Sequence, residues 1–212
     1  MKRISLICAL LACAMFLVAQ ENTDKASKTD HAKHQAANAA APQMPKPSAE
    51  MQKLSKLLVG TWRTSEKMEP MPEMGLPNGG SGTGSEVVKA GPGGFSVVVD
   101  YKSRGPMGAF AGHGVTFWDA KEQAYKSFWT DSMGGQGEMT TGKWEGNDLV
   151  FTGESEMQGK KYKTQQKFTD ITPTSFTFKL GSAEEGQPMK EGMTIKYKKV
   201  GGAAPAQTAS KQ

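Results

Sequence analysis

The stretch GHGVTFWDAKEQAYKSFWTDSMGG, residues Gly112–Gly135, reads as strand, turn, strand. Strand-like runs at His113–Trp118 and Tyr125–Asp131 are joined by turn-forming Asp119–Glu122. Alternation of period two puts successive side chains on opposite faces of a sheet. The hairpin holds Trp118 and Trp129, half of the four tryptophans, and His113, the only one of three histidines outside the N-terminal region. If Trp129 faces an interior, so do Ser127 and Asp131. The partner strand then offers either Gly114, Thr116 and Trp118, or His113, Val115 and Phe117. A slip of one residue in register exchanges the two sets, so both remain open.

Short strand-like runs continue on either side. They are Thr61–Lys67, Thr83–Lys89, Phe95–Ser103, Glu138–Trp144, Asp148–Glu156, Lys161–Thr169, Ser175–Leu180 and Met193–Val200. With the hairpin this makes about ten strands, spaced as in all-β barrels and sandwiches. Turn-formers separate them: Gly91-Pro92-Gly93-Gly94, Glu145–Asp148, Gln158-Gly159-Lys160 and Thr172-Pro173. Short links make neighbours antiparallel, and no long helix intervenes to build a parallel α/β sheet. Phe95, Val97, Val99 and Tyr101 alternate, as do Phe176, Phe178 and Leu180. Ahead of the first strand, Ser48 reads as an N-cap with Glu50 in the first turn, and Met51, Leu54, Leu57 and Leu58 recur at helical spacing. A short amphipathic helix therefore runs into Gly60-Thr61-Trp62. The fold class expected from these runs is all-β and antiparallel, a barrel or a sandwich of about ten strands with a short N-terminal helix.

The ends read differently. Lys2 and Arg3 precede the apolar run Ile4–Val18, which is too short to span a bilayer comfortably, and Leu17-Val18-Ala19 fits a peptidase site. The expected division is a signal peptide over residues 1–19, a linker over 20–47, the barrel over 48–200 and a tail over 201–212. The mature protein is then periplasmic or secreted, with no transmembrane span. A rival reading takes Leu10-Leu11-Ala12-Cys13 as a lipoprotein box, with the chain anchored through Cys13; the apolar run continues past that cysteine. The only two cysteines, Cys8 and Cys13, lie in this segment, so cleavage after Ala19 leaves no thiol for disulfides, catalysis or metals. His31 and His34 sit in a linker that supplies no further rigid ligands, so no metal site is expected there. The formal charge of +5 is mild and scattered, which argues against a nucleic-acid footprint.

The hairpin and its flanks resemble a bacterial secreted family, domain-of-unknown-function family 1579, whose members look lipocalin-like. The matching pieces are Met51–Trp62, the Glu, Met and Pro content of Met68–Gly75, and Trp118-Asp119, Lys121, Tyr125, Ser127, Trp129 and Asp131-Ser132-Met133. Gly142-Lys143-Trp144, Leu149–Glu154 and Gly159-Lys160-Lys161 follow the same plan, so most of residues 48–200 are covered. Trp118 stands where the family often has Tyr. The resemblance implies an all-β fold, a single antiparallel lipocalin-like up-and-down barrel of about 8–10 strands with a short N-terminal helix, and export, but no activity. In lipocalins and fatty-acid-binding proteins a Gly-x-Trp on the first strand closes the bottom of the barrel, and Gly60-Thr61-Trp62 is similar. Some related barrels hold haem through a late His, but none follows His113 here, and no cofactor is implied.

The functional expectation is a non-enzymatic carrier or sensor of a small apolar or amphiphilic molecule. Tyr101, Trp118 and Trp129 would supply apolar contacts, Met133 a neighbouring one, and Asp131 or His113 a polar anchor. One alternative is a small-barrel isomerase or hydrolase that brings His113 and Asp131 into one cavity. Another is an envelope interaction or Cu(I)-handling protein using Met68, Met71 and Met74, whose thioethers are soft ligands. The plainer account of that Pro-rich loop is an apolar lid over a barrel mouth.

Overall fold

A computed structural model describes residues 44–200, apart from 73–74, 135–136 and 158. The signal segment, Cys13, the linker histidines and the tail lie outside the described residues, as does Met74. A helix α1 (Ala49–Leu58) leads into ten strands: β1 (Gly60–Met68), β2 (Gly80–Ala90), β3 (Ser96–Gly105), β4 (Gly108–Asp119), β5 (Ala124–Asp131), β6 (Glu138–Glu145), β7 (Asp148–Met157), β8 (Lys160–Thr169), β9 (Ser175–Glu184) and β10 (Lys190–Lys199). Each strand pairs antiparallel with its sequence neighbour, and β1 pairs with β10 to close the barrel. The up-and-down order follows from links too short for any other path.

α1 starts where the sequence says it should. The Ser48 side chain accepts a hydrogen bond from the Met51 N–H at 3.2 Å, satisfying one of the donors a helix start leaves free. Met51, Leu54 and Leu58 are buried against the barrel's end. Trp62 is fully buried on the first inward position of β1 after the helix, and its indole N–H donates to the Leu58 carbonyl at 2.9 Å. Tyr125 ties the opposite side down, its hydroxyl donating to the Glu50 carbonyl at 3.0 Å. Above the helix lies an aromatic floor. Trp62 meets Phe176 edge-on at 4.8 Å, Phe176 stacks on Tyr197 at 4.2 Å, and Phe168 meets Phe178 at 5.2 Å.

Three sequence expectations shift. Phe95 is outside β3: a 3-10 turn at Pro92–Gly94 precedes it and leaves its ring 43% exposed. β2 begins at Gly80 and β4 at Gly108, where glycines read as loop. Their backbones pair normally, and the missing side chains make room inside the barrel. β9 and β10 likewise extend to Glu184 and back to Lys190.

Because Leu54 has no exposed surface and nothing polar to lose, Leu54→Ala tests the plug directly. We expect a loss of about 2–5 kcal/mol in urea denaturation, the range for emptying a packed core position. A loss under about 1 kcal/mol would show that α1 is not needed to seal the barrel.

Candidate functional site

The hairpin's faces are decided by register. Gly112 pairs with Asp131, Gly114 with Trp129, Thr116 with Ser127 and Trp118 with Tyr125. Tyr125 is buried at the floor, so this whole set faces inward. His113, Val115 and Phe117 face outward. His113 Nδ1 lies 2.9 Å from Asp100 Oδ1, and both side chains are about half exposed. His113 and Asp131 therefore stand on opposite sides of the sheet, and the enzyme reading that joined them fails.

The other candidates separate as well. The Trp129 ring lies over Gly112 and Gly114: a Cβ at Gly112 would come within 2.1 Å of it. Its N–H donates to Asp131 Oδ2 at 3.2 Å, while Asp131 Oδ1 accepts from the Met133 N–H at 2.8 Å. Asp131 thus has a structural partner on each oxygen and is no free anchor. Met133 is 58% exposed on the turn after β5. Trp118 packs edge-on against Tyr125 at 5.0 Å, at the closed end near α1. Met68 is buried at the inward end of β1, opposite Met193, while Met71 lies in the following loop bridged to Leu76. Leu76 is buried and the Glu69 N–H donates to the Gly192 carbonyl at 2.9 Å, so this loop folds onto the barrel rim.

What the structure brings together is a polar layer above the aromatic floor. The buried polar side chains among the described residues are Thr64, Glu66, Glu86, Thr116, Thr140 and Thr164, and all face inward. Thr116 donates to the Ser127 hydroxyl at 2.9 Å. Across β10, β1, β2 and β3 the layer becomes a network. Tyr101 donates to Glu66 Oε1 and lies 3.3 Å from the Thr64 hydroxyl. Tyr197 donates to Glu86 Oε2 at 3.1 Å. Tyr101 pairs with Glu86 in register, and Tyr197 with Thr64, so the two acid–phenol pairs are neighbours. Glu66 Oε2 is buried without a hydrogen-bond partner. It rests against Gly82 and Gly105, where Cβ atoms would stand 2.5 and 3.4 Å away.

Burial dominates the electrostatics. It raises the Glu86 carboxyl from 4.5 to about 7, with the Tyr197 hydrogen bond opposing. Burial and then the Glu66 carboxylate hold the Tyr101 phenol above its usual value, and burial and Glu86 do the same for Tyr197. Sequence reading missed Glu66, Glu86 and Tyr197 and saw in Tyr101 only an apolar contact. The signal was available: Thr64 and Glu66 share the strand phase of Trp62, and Glu86 that of Val88.

Higher in the barrel the inward side chains are not sealed. Phe110, Trp129, Tyr162, Leu180 and Met193 remain partly exposed although register turns them inward. Outside the closed end, a wide groove of about 1010 Å³ runs between α1 and the turns after β6 and β8. Its aromatic wall, Trp144, is already covered by Lys53 Nζ at 3.6 Å. The groove is open to solvent and lacks the buried polar groups of the interior.

Residues 46–199 match the family described as "Protein of unknown function (DUF1579)", and the chain belongs to that family. No curated protein matches it. Among solved structures it is similar to Rv2717c from M. tuberculosis, at 12% identity and TM-score 0.52, covering 74% of this chain and 100% of that one. It is also similar to the S-type phycobiliprotein lyase CPES from Guillardia theta, at 10% identity and TM-score 0.50, covering 72% and 93% respectively. At these identities the likeness is one of fold.

The raised Glu86 carboxyl sets a pH dependence. The folded state keeps its proton up to about pH 7, while the unfolded chain releases it near 4.5. Stability from this group therefore falls as pH rises through that window and is level above it, by on the order of 3 kcal/mol. Urea denaturation at several pH values should show that fall in the wild type and its removal in Glu86→Gln. Parallel profiles for the two proteins would contradict the assignment.

Proposed function

We propose that this DUF1579-family barrel is a non-enzymatic binding protein that holds a small amphiphilic molecule in its upper half. One observation carries the reading: inward-facing Trp129, Leu180 and Met193 keep partial solvent access above a floor sealed by Trp62, Tyr125 and α1. Such an arrangement would form a cup, apolar on its walls and polar at its base, which is the usual make-up of a small-molecule site. The apolar body would lie against Trp129, Phe110 and Leu180, and its polar end would reach the layer of Thr64, Glu66 and Tyr101. The loop carrying Leu76 folds on the rim, which suits a lid. The proposal includes export: Lys2-Arg3, the apolar run Ile4–Val18 and Leu17-Val18-Ala19 would release a mature chain beginning at Gln20.

The neutral fluorescent probe N-phenyl-1-naphthylamine tests the cup. It should bind the wild type with a rise in emission, and Leu180→Trp, which fills the cup, should weaken binding at least about tenfold. Phe117→Ser, on the outer face, should leave it unchanged. Equal binding by all three proteins, or none by the wild type, would end the reading. For export, mass spectrometry of protein recovered from its native cells should find Gln20 at the N-terminus. A lipidated Cys13 would select the anchored form, and an intact Met1 would reject both.

A further inference from the structure

Resting on that reading of the cup, we infer that its ligand carries a positively charged head, a protonated organic amine, received by Glu66 at the base. The chain as a whole is basic, with 26 Lys and Arg against 21 Asp and Glu. Inside the barrel the balance is reversed. The buried side chains among the described residues include two carboxylates, Glu66 and Glu86, and no Lys or Arg. Neither has an ion pair there; the ion pairs present join exposed or partly exposed groups at the surface. Removing a carboxylate from water without a counter-charge is strongly unfavourable, so a buried carboxylate with an unpartnered oxygen is an acceptor for a cation.

The geometry narrows this to Glu66. Its Oε1 is taken by the Tyr101 hydroxyl, while its Oε2 is buried and unpartnered. Gly82 and Gly105 are what allow that oxygen to lie against the wall between β2 and β3, since a side chain at Gly82 would strike it. Asp131, beside Trp129, offers no such oxygen, because both of its oxygens have donors. An ammonium group would give Glu66 Oε2 the donor it lacks. The Tyr101 ring, whose hydroxyl is bonded to Glu66, and Phe110, which meets it edge-on at 6.1 Å, offer π-faces suited to a cation. A divalent metal fits less well, as no group of three or more His, Cys, Asp or Glu among the described residues could hold one.

Three probes with one body separate the head from the cup: 1-naphthylmethylamine, 1-naphthylmethanol and 1-naphthylacetate, titrated calorimetrically at neutral pH. The amine should bind at least about tenfold tighter than the alcohol, and the carboxylate weakest, as expected for a charge-assisted hydrogen bond. Glu66→Gln, which keeps the shape and the Tyr101 contact, should bring the amine to the alcohol's level and leave the alcohol unchanged. Circular dichroism and the melting curve confirm that the variant is folded; if it is not, Gly82→Ala, which displaces the same oxygen, takes its place. Equal binding of amine and alcohol by the wild type would overturn the cationic head while the cup stands. Equal weakening of both by Glu66→Gln would give Glu66 a structural role only, and overturn the inference in the same way. Failure of all three probes would remove the cup and the inference together.

Discussion

The pairing of β1 with β10 is the constraint on which the structure depends. Trp62–Met68 lie antiparallel to Met193–Lys199, and with that ladder the sheet has no edge left. Closure satisfies the backbone of every strand internally and leaves each side chain only two choices, inside or outside. From there one phase relation propagates. Trp62 faces in, so Thr64 and Glu66 do; their neighbours Gly84 and Gly82 on β2 follow, and the order passes from strand to strand around the barrel. α1 makes the two ends unequal by plugging one of them with Met51, Leu54 and Leu58.

Glycine placement then decides how the interior is filled. Trp129 lies on Gly112 and Gly114, and Phe151 on Gly142, where a Cβ would come within 2.4 Å of the ring. Each large ring occupies the area that the facing strand leaves bare, which lets broad aromatic side chains lie along the wall instead of filling the lumen. The same device serves a charge at Gly82, which makes space for the Glu66 carboxylate. A barrel can therefore be rich in glycine and still well ordered.

Polarity is sorted radially. Among the described residues lysines and arginines are exposed or partly exposed, and the buried Asp, Glu, Lys or Arg side chains are the carboxyls of Glu66 and Glu86. The interior passes from an aromatic floor, through hydroxyls and carboxyls, to partly exposed apolar walls. Burial in that middle layer moves Glu86 toward neutrality, an effect of location and not of composition.

The local features were legible because local rules generate them. The Ser48 cap, the turns, ten strands and the helix running into Trp62 follow from propensity and period within a few residues of chain. The glycine-rich starts of β2 and β4 were not, since glycine in a paired strand looks the same as glycine in a loop until the partner strand is known. Nor were the faces of the hairpin. The alternation at Gly112–Asp131 is equally good in either phase, and only closure of the barrel turned Trp129 and Asp131 inward and sent His113 out to Asp100. The all-β class, a count of about 8–10 strands and the capped helix were already readable from the amino-acid order. Only the closed barrel sets the Glu66–Tyr101 and Glu86–Tyr197 pairs beside each other in one buried layer. These residues come from four strands, with bonded partners 35 and 111 positions apart, and register across a closed sheet is what brings them within bonding distance.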